Sequence, residues 1–152
     1  MSEAARPTVR QLRIVVEADD HDAAVAFFRD ALGLPEQAAY AGEGDERVVI
    51  LEAGRATLEL ANPSHVRAID AVETDGVTSP RIRLAFEVDD AAAATSALEA
   101  AGGEVLATPR ETPWRSLNAR LQAPADLQIT LFEELETLQE RSQREGFGAG
   151  ER

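Results

Sequence analysis

The sequence predicts an α+β protein built from two tandem βαβββ modules, and three observations lead there. The stretch at 12–33 (LRIVVEADDHDAAVAFFRDALG) reappears at 82–103 (IRLAFEVDDAAAATSALEAAGG), so Arg13 falls on Arg83, Glu17 on Glu87, and Asp19-Asp20 on Asp89-Asp90. A second correspondence, shifted by one further residue, sets Ala56-Thr57-Leu58-Glu59-Leu60 beside Leu127-Gln128-Ile129-Thr130-Leu131. In each copy the apolar period begins at two, changes to that of a helix, then returns to short extended runs broken by turn residues. A module that cannot bury its apolar face alone pairs with its copy. The shared surface is then a natural place for a site built from equivalent residues of both.

The elements follow in order. In the first copy Leu12, Ile14 and Val16 alternate with Arg13, Val15 and Glu17, the period of a strand. Asp20 or Asp22 then caps a helix whose inner face is Ala24, Phe27, Phe28, Ala31 and Leu32, stopped by Gly33 with Pro35 beyond. Extended runs are expected at about 36–41, 47–51 and 55–61. Asn62-Pro63-Ser64 reads as a capped helix start, predicting a short connecting helix at 65–72. In the second copy Ile82, Leu84, Phe86 and Val88 mark the strand, and Asp90 caps a helix with Ala94, Leu98 and Ala101 on one face, ended by Gly102-Gly103. Extended runs follow at about 104–108, 117–122 and 127–132. The expected organisation is one domain over 1–136: module one about 9–62, the connection about 63–79 and module two about 80–134. A charged tail, 137–152, ends in GFGAGER, which reads as disordered.

Composition bounds the function. The chain has 152 residues, 44% apolar and 28% charged, the profile of a globular protein with one core. No apolar run reaches membrane length and MSEAARPTVR lacks an apolar signal core, so a cytoplasmic protein without membrane attachment is expected. The absence of cysteine removes disulfides, thiolate metal sites and cysteine nucleophiles; all 15 cations are arginines, which removes Schiff-base chemistry. A formal charge of −13 argues against nucleic acid as a partner. The acidic surface serves either solubility or attraction of a cationic ligand, and composition does not separate the two.

A doubled strand-helix-three-strand unit with the run Ala26-Phe27-Phe28-Arg29-Asp30-Ala31-Leu32-Gly33-Leu34, the strand Ala56-Thr57-Leu58-Glu59-Leu60, Thr112-Pro113-Trp114-Arg115 and the closing LQITLFE at 127–133 resembles the vicinal oxygen chelate superfamily. That superfamily includes glyoxalase I, extradiol dioxygenases and bleomycin resistance proteins. The resemblance covers about 9–134 and implies two sheets curled into an open barrel around a central cleft, with helices outside.

Metal-dependent members of the superfamily use His or Gln on the first strand of each module and Glu near the last strand. Carried over by position, those sites are Arg13, Glu59, Arg83 and Thr130, of which only Glu59 is a plausible ligand. A guanidinium stays protonated and offers no lone pair, so two arginines repel a divalent cation there. Gln11 approaches the first site only if the strand register slips. His21 is expected at an exposed helix start and His65 in the connection, leaving a metal on Glu59 and His65 without further ligands. No metal and no cofactor are expected.

The arginines then have two explanations, which are compatible. Arg13 pairs with Glu59 across neighbouring strands and braces the barrel, or one guanidinium, Arg83 facing the neutral Thr130, is left to bind a ligand's carboxylate or carbonyl oxygen. Trp114 is either an aromatic wall for a flat ligand or a core residue. Arg120, Asn118, Gln128 and Phe132 share the inward strand phase, as do Val49, Leu51 and Thr57, while Glu17 and Glu87 belong near the cleft mouth. No catalytic triad order, phosphate loop or carboxylate dyad stands out, and Gly42-Glu43-Gly44 is a turn signal.

Three function classes are open. The first is a metal-independent binding protein that, like the bleomycin-type resistance proteins, sequesters a drug or hydrophobic metabolite, with Arg13, Glu59, Arg83, Trp114, Arg120 and Thr130 as ligand residues. The second is a lyase, isomerase or dioxygenase with an atypical site, in which Glu59 is the one candidate base. The third is a structural module whose cleft is filled by side chains. The resemblance further implies a homodimer, against a monomer whose own modules pair.

Overall fold

The computed structural model describes residues 10–11, 13–57 and 59–143. It is a mixed α+β structure with two sheets and no closed barrel. Module one contributes α1 (His21–Val25), continued by a π-helical stretch Ala26–Ala31, and the hairpin β1 (Glu36–Ala41) and β2 (Arg47–Leu51). After α2 (Pro63–Thr74), module two runs β3 (Leu84–Glu87), α3 (Ala91–Ala100), β4 (Glu104–Glu111), β5 (Ser116–Gln122) and β6 (Gln128–Glu134), followed by α4 (Leu138–Ser142). Its four strands lie in the order β3-β6-β5-β4, with β3 parallel to β6 and the other pairs antiparallel. The tail beyond 143 lies outside the described residues.

Local chemistry accounts for the boundaries. The carboxylates of Asp20 and Asp90 accept from the amides of Ala23 and Ala93 and so cap α1 and α3, as the sequence predicts. Asn62 does the same for α2 by accepting from His65 N at 2.9 Å, with Pro63 in the first turn, where its missing N–H costs nothing. The wider π turn, closed by Leu32 N donating to Phe27 O, sets Phe27 and Phe28 edge to face with centroids 5.0 Å apart.

The core forms where the outer face of the four-stranded sheet meets α3 and Phe27: Leu98, Ala119, Leu121, Ala123, Ile129 and Leu131 enclose that ring. Strand alternation sends Ser116, Asn118 and Arg120 of β5, with Gln128 and Thr130 of β6, to the opposite face, and these too are buried. What covers them is α2, a segment to which the repeat assigns no place.

Module one departs from its copy. The strands expected at 12–17 and 55–61 are not formed among the described residues, and Leu12 and Leu58, which belong to those two alternations, lie outside that set. A strand is defined by its partner, and the parallel pairing that β3 makes with β6 has no counterpart in module one among the described residues. Ile14, Val15 and Leu60 are accordingly 55%, 88% and 86% exposed.

Candidate functional site

The densest chemistry lies between α2 and the inner face of β5 and β6. Arg120, 0% exposed, donates through Nη2 and Nε to Glu73 Oε1 at 2.9 and 3.3 Å, and through Nη1 to Asp70 Oδ1 and Gln128 Oε1, both at 2.9 Å. Glu73 is saturated in return: its Oε1 also accepts from Thr130 Oγ1 and its Oε2 from Asn118 Nδ2, each at 2.9 Å. The second oxygen of Asp70 accepts from the amide and hydroxyl of Ser79 at 3.1 and 3.2 Å. Asn118 Oδ1 accepts from Ser116 Oγ at 2.6 Å, and Ser116 meets Thr112. Arg83 closes the cluster at its more open end, donating from Nη1 to Thr130 Oγ1 at 2.5 Å.

Two carboxylates thus face two guanidiniums in a largely buried site. Burial alone would push the Asp70 carboxyl up, but hydrogen bonds from Arg120 and Ser79 outweigh it and hold Asp70 below its usual range. Burial, then repulsion from Arg120, lowers the pKa of Arg83 against the pull of Glu73, Asp70 and Glu59. Arg83 Nε is buried with no hydrogen-bond partner. It is the one buried side-chain polar atom among the described residues left in that state, so this guanidinium is the least satisfied group of the cluster.

The structure brings together Arg83, Arg120 and Thr130, with Asn118 and Gln128 from the same strand phase. Arg13 and Glu59 make no bond to this cluster among the described residues: both are exposed, Arg13 donates to Gln11 at 3.3 Å, no ion pair joins Arg13 to Glu59, and Glu59 acts on Arg83 only through its charge. Without the flanking strand pairing nothing holds the two side chains opposite each other. Trp114, half-buried, sits in the turn between β4 and β5. The donors do not suit a divalent metal, since arginines and a threonine hold three of the four positions and no three His, Asp or Glu side chains converge on one point among the described residues.

Sequence reasoning missed Asp70, Glu73 and Ser79. The signal was present: Val66, Ile69, Asp70 and Glu73 fall at helical spacing on one face, and two carboxylates in an apolar stripe need buried partners.

A model of the glyoxalase-like domain matches residues 13–132. No curated protein sequence matches the chain. Among solved structures, a lactoylglutathione lyase from Agrobacterium tumefaciens is 24% identical with a TM-score of 0.50, covering 84% of this chain and 95% of its own. A member of the glyoxalase/bleomycin resistance protein/dioxygenase superfamily from Sphaerobacter thermophilus is 21% identical with a TM-score of 0.50, covering 79% and 92%. A glyoxalase I mutant from Zea mays is 18% identical with a TM-score of 0.55, covering 82% of this chain and 46% of that one. At these identities the likeness is one of fold. With four of its strands in the βαβββ order and a family model spanning both modules, the chain belongs to the glyoxalase-like domain family, within the glyoxalase/bleomycin resistance/dioxygenase superfamily.

Proposed function

We propose that this protein binds a small molecule without a metal, on the module-two sheet face that carries Arg83, Thr130 and Arg120, and sequesters it rather than transforming it. The observation that carries this reading is the buried, unpartnered Nε of Arg83 beside Thr130, where metal-dependent relatives place ligands. A guanidinium held in that position fits a ligand's carboxylate or carbonyl oxygen and repels a divalent cation. Arg13 and Glu59 extend the site on its exposed side, and Trp114 supplies a wall for the apolar body of a drug or hydrophobic metabolite. Further parts of the reading are a cytoplasmic homodimer without nucleic-acid or membrane partners; no helix among the described residues is long and apolar enough to cross a membrane. The exposed Ile14, Val15, Leu60 and Ile82 give a second copy an apolar surface to cover.

Native mass spectrometry of protein purified without chelator tests the subunit count, the metal and the ligand together. A dimer carrying a co-purified organic acid and no metal is the expected result. About one zinc, iron, nickel or manganese per chain overturns the metal-free reading. Turnover of lactoylglutathione, the compound in the name of one structural neighbour, overturns sequestration.

A further inference from the structure

We infer that α2 is a built-in occupant of the ligand site, and that the ligand able to displace it is a dicarboxylic acid. The inference rests on the binding reading above and deepens it.

The sheet face under α2 carries Ser116, Asn118, Arg120, Gln128 and Thr130, with Arg83 at its edge; Glu87 and Glu134 share that strand phase, but among the described residues no hydrogen bond or ion pair joins either of them to Arg83 or Arg120. The carboxylates that pair with Arg120 both come from one segment outside both repeats, through Asp70 and Glu73. The way α2 is held matches a ligand more than a core helix. Its buried residues are Asp70, Glu73 and Thr74, while Val66, Ile69 and Val72 are only half-buried. Contacts of α3 on the other face are the reverse, with Leu98 fully enclosed among apolar side chains. An apolar helix surface has no small-molecule substitute, whereas charge-assisted hydrogen bonds to two carboxylates can be remade by any molecule that presents two.

Charge balance fixes the class. With α2 lifted, Arg120 and Arg83 leave two positive charges on a sheet face that a neutral ligand cannot compensate, and a monocarboxylate compensates half. A dianion restores the balance and also reaches Arg83 Nε, which α2 leaves unpartnered. The native arrangement is then a competition between tethered and dissolved carboxylates, and the apparent affinity for the dissolved one is reduced by the fraction of molecules in which α2 is docked.

Glutarate is the probe, tested by calorimetric titration with the monoanion butyrate as control, on wild type, Glu73→Gln and Asp70→Asn. Weakening the tethered competitor is expected to tighten glutarate binding by about ten-fold or more in either variant, with butyrate weaker throughout. Glutarate affinity that is unchanged or lower in folded variants overturns the competition while leaving a ligand site. No binding of either acid to any of the three proteins overturns the anionic ligand class as well. Should the variants not fold, hydrogen exchange on wild type decides: α2 amides exchanging about ten-fold faster than those of β5, and more so with glutarate, support a detachable helix. Exchange of α2 and β5 at one common rate, indifferent to glutarate, makes α2 part of the fixed core and refutes the proposal.

Discussion

Two copies of one sequence unit have met different fates in this molecule. Module two is a four-stranded sheet buried on both faces, by α3 and Phe27 outside and by α2 inside. Module one is a short helix and a two-stranded hairpin, and Phe27 is its one buried side chain among the described residues. The difference lies in what covers each unit, since an apolar period is present in both, though it reads more clearly in the second. A strand with one apolar face is stable only when something takes that face. The connecting helix gives module two its second cover, and module one has no equivalent within the described residues. That contrast is the physical ground for the second copy of the chain proposed above.

The strongest way to break the contrast is to remove the charge that ties α2 to module two. Glu73→Ala leaves Arg120 short of its main partner and strands Asn118 Nδ2 and Thr130 Oγ1, so the loss should be about 3–5 kcal/mol, read from urea unfolding. Asp30, whose ion pair with Arg29 lies exposed in module one, should by contrast tolerate alanine with no measurable change at neutral pH and moderate salt, where ions screen the pair. Equal effects at the two positions would mean that α2 contributes no more to module two than a surface pair contributes to module one.

Next in size is the anchor between the halves. Phe27→Ala removes the fully buried module-one ring, enclosed by Leu98, Leu121 and Ile129, at a cost of about 3 kcal/mol, toward the low end for such a change because the half-buried Phe28 beside it is free to settle toward the gap. Gly103 corroborates the closeness of that contact, since a Cβ there would lie 3.1 Å from the Phe27 ring and 2.9 Å from Leu98 O. A Phe27→Ala protein that melts like wild type would show that module one is not held through this ring.

The sequence made module two legible because caps, periods and turns agreed there. Asp90, the alternation at 82–88 and the glycines at 102–103 each point to one answer, and the structure follows them within a few residues. Arg83 and Thr130 came from the positions that the family resemblance carries over, and Arg120 from strand phase; the structure sets the three side by side. The expected pairing of Arg13 with Glu59 has no counterpart among the described residues, because it depends on a strand partnership that only tertiary packing decides. Asp70 and Glu73 were overlooked for the opposite reason: the repeat drew attention to the modules, while both carboxylates of the cluster sit on the segment between them.

Acid sharpens the comparison further. Asp70 and Asp30 both ionise below the ordinary carboxylate range, Asp70 against burial through Arg120 and Ser79, Asp30 through its hydrogen bond from Arg29. A depressed folded-state pKa contributes stability that is present above the unfolded value and lost as pH falls through the folded one, because the unfolded chain takes up the proton first. Stability should therefore drop as pH falls below about 4, and Asp70→Asn should flatten that acid limb in circular dichroism at low and high salt alike. Asp30→Asn should flatten it only at low salt, since ions screen an exposed pair. An acid limb that Asp70→Asn leaves unaltered would remove the carboxylate from the list of groups holding α2.

The smallest effect tests whether the copies differ in strain as well as in cover. Gly54 and Ala125 occupy the same place in the repeat, each in the turn before the module's last extended run. Both have positive φ, +68° at Gly54 and 64° at Ala125, and Asp126 follows at 57°. An alanine held in that region is strained by roughly 1–2 kcal/mol, and part of what glycine would relieve is returned as extra freedom of the unfolded chain. Ala125→Gly should thus stabilise by about 0.5–1 kcal/mol, while Gly54→Ala should lose a similar amount in the less protected copy. The β5–β6 turn closes with Ala123 N donating to Leu127 O at 2.6 Å, so the backbone is pinned on both sides and has little room to relax away from the strain. Chemical denaturation of the two single variants resolves a difference of this size. A destabilised Ala125→Gly would show that module two's turn gains more from alanine's stiffness than it loses to backbone strain.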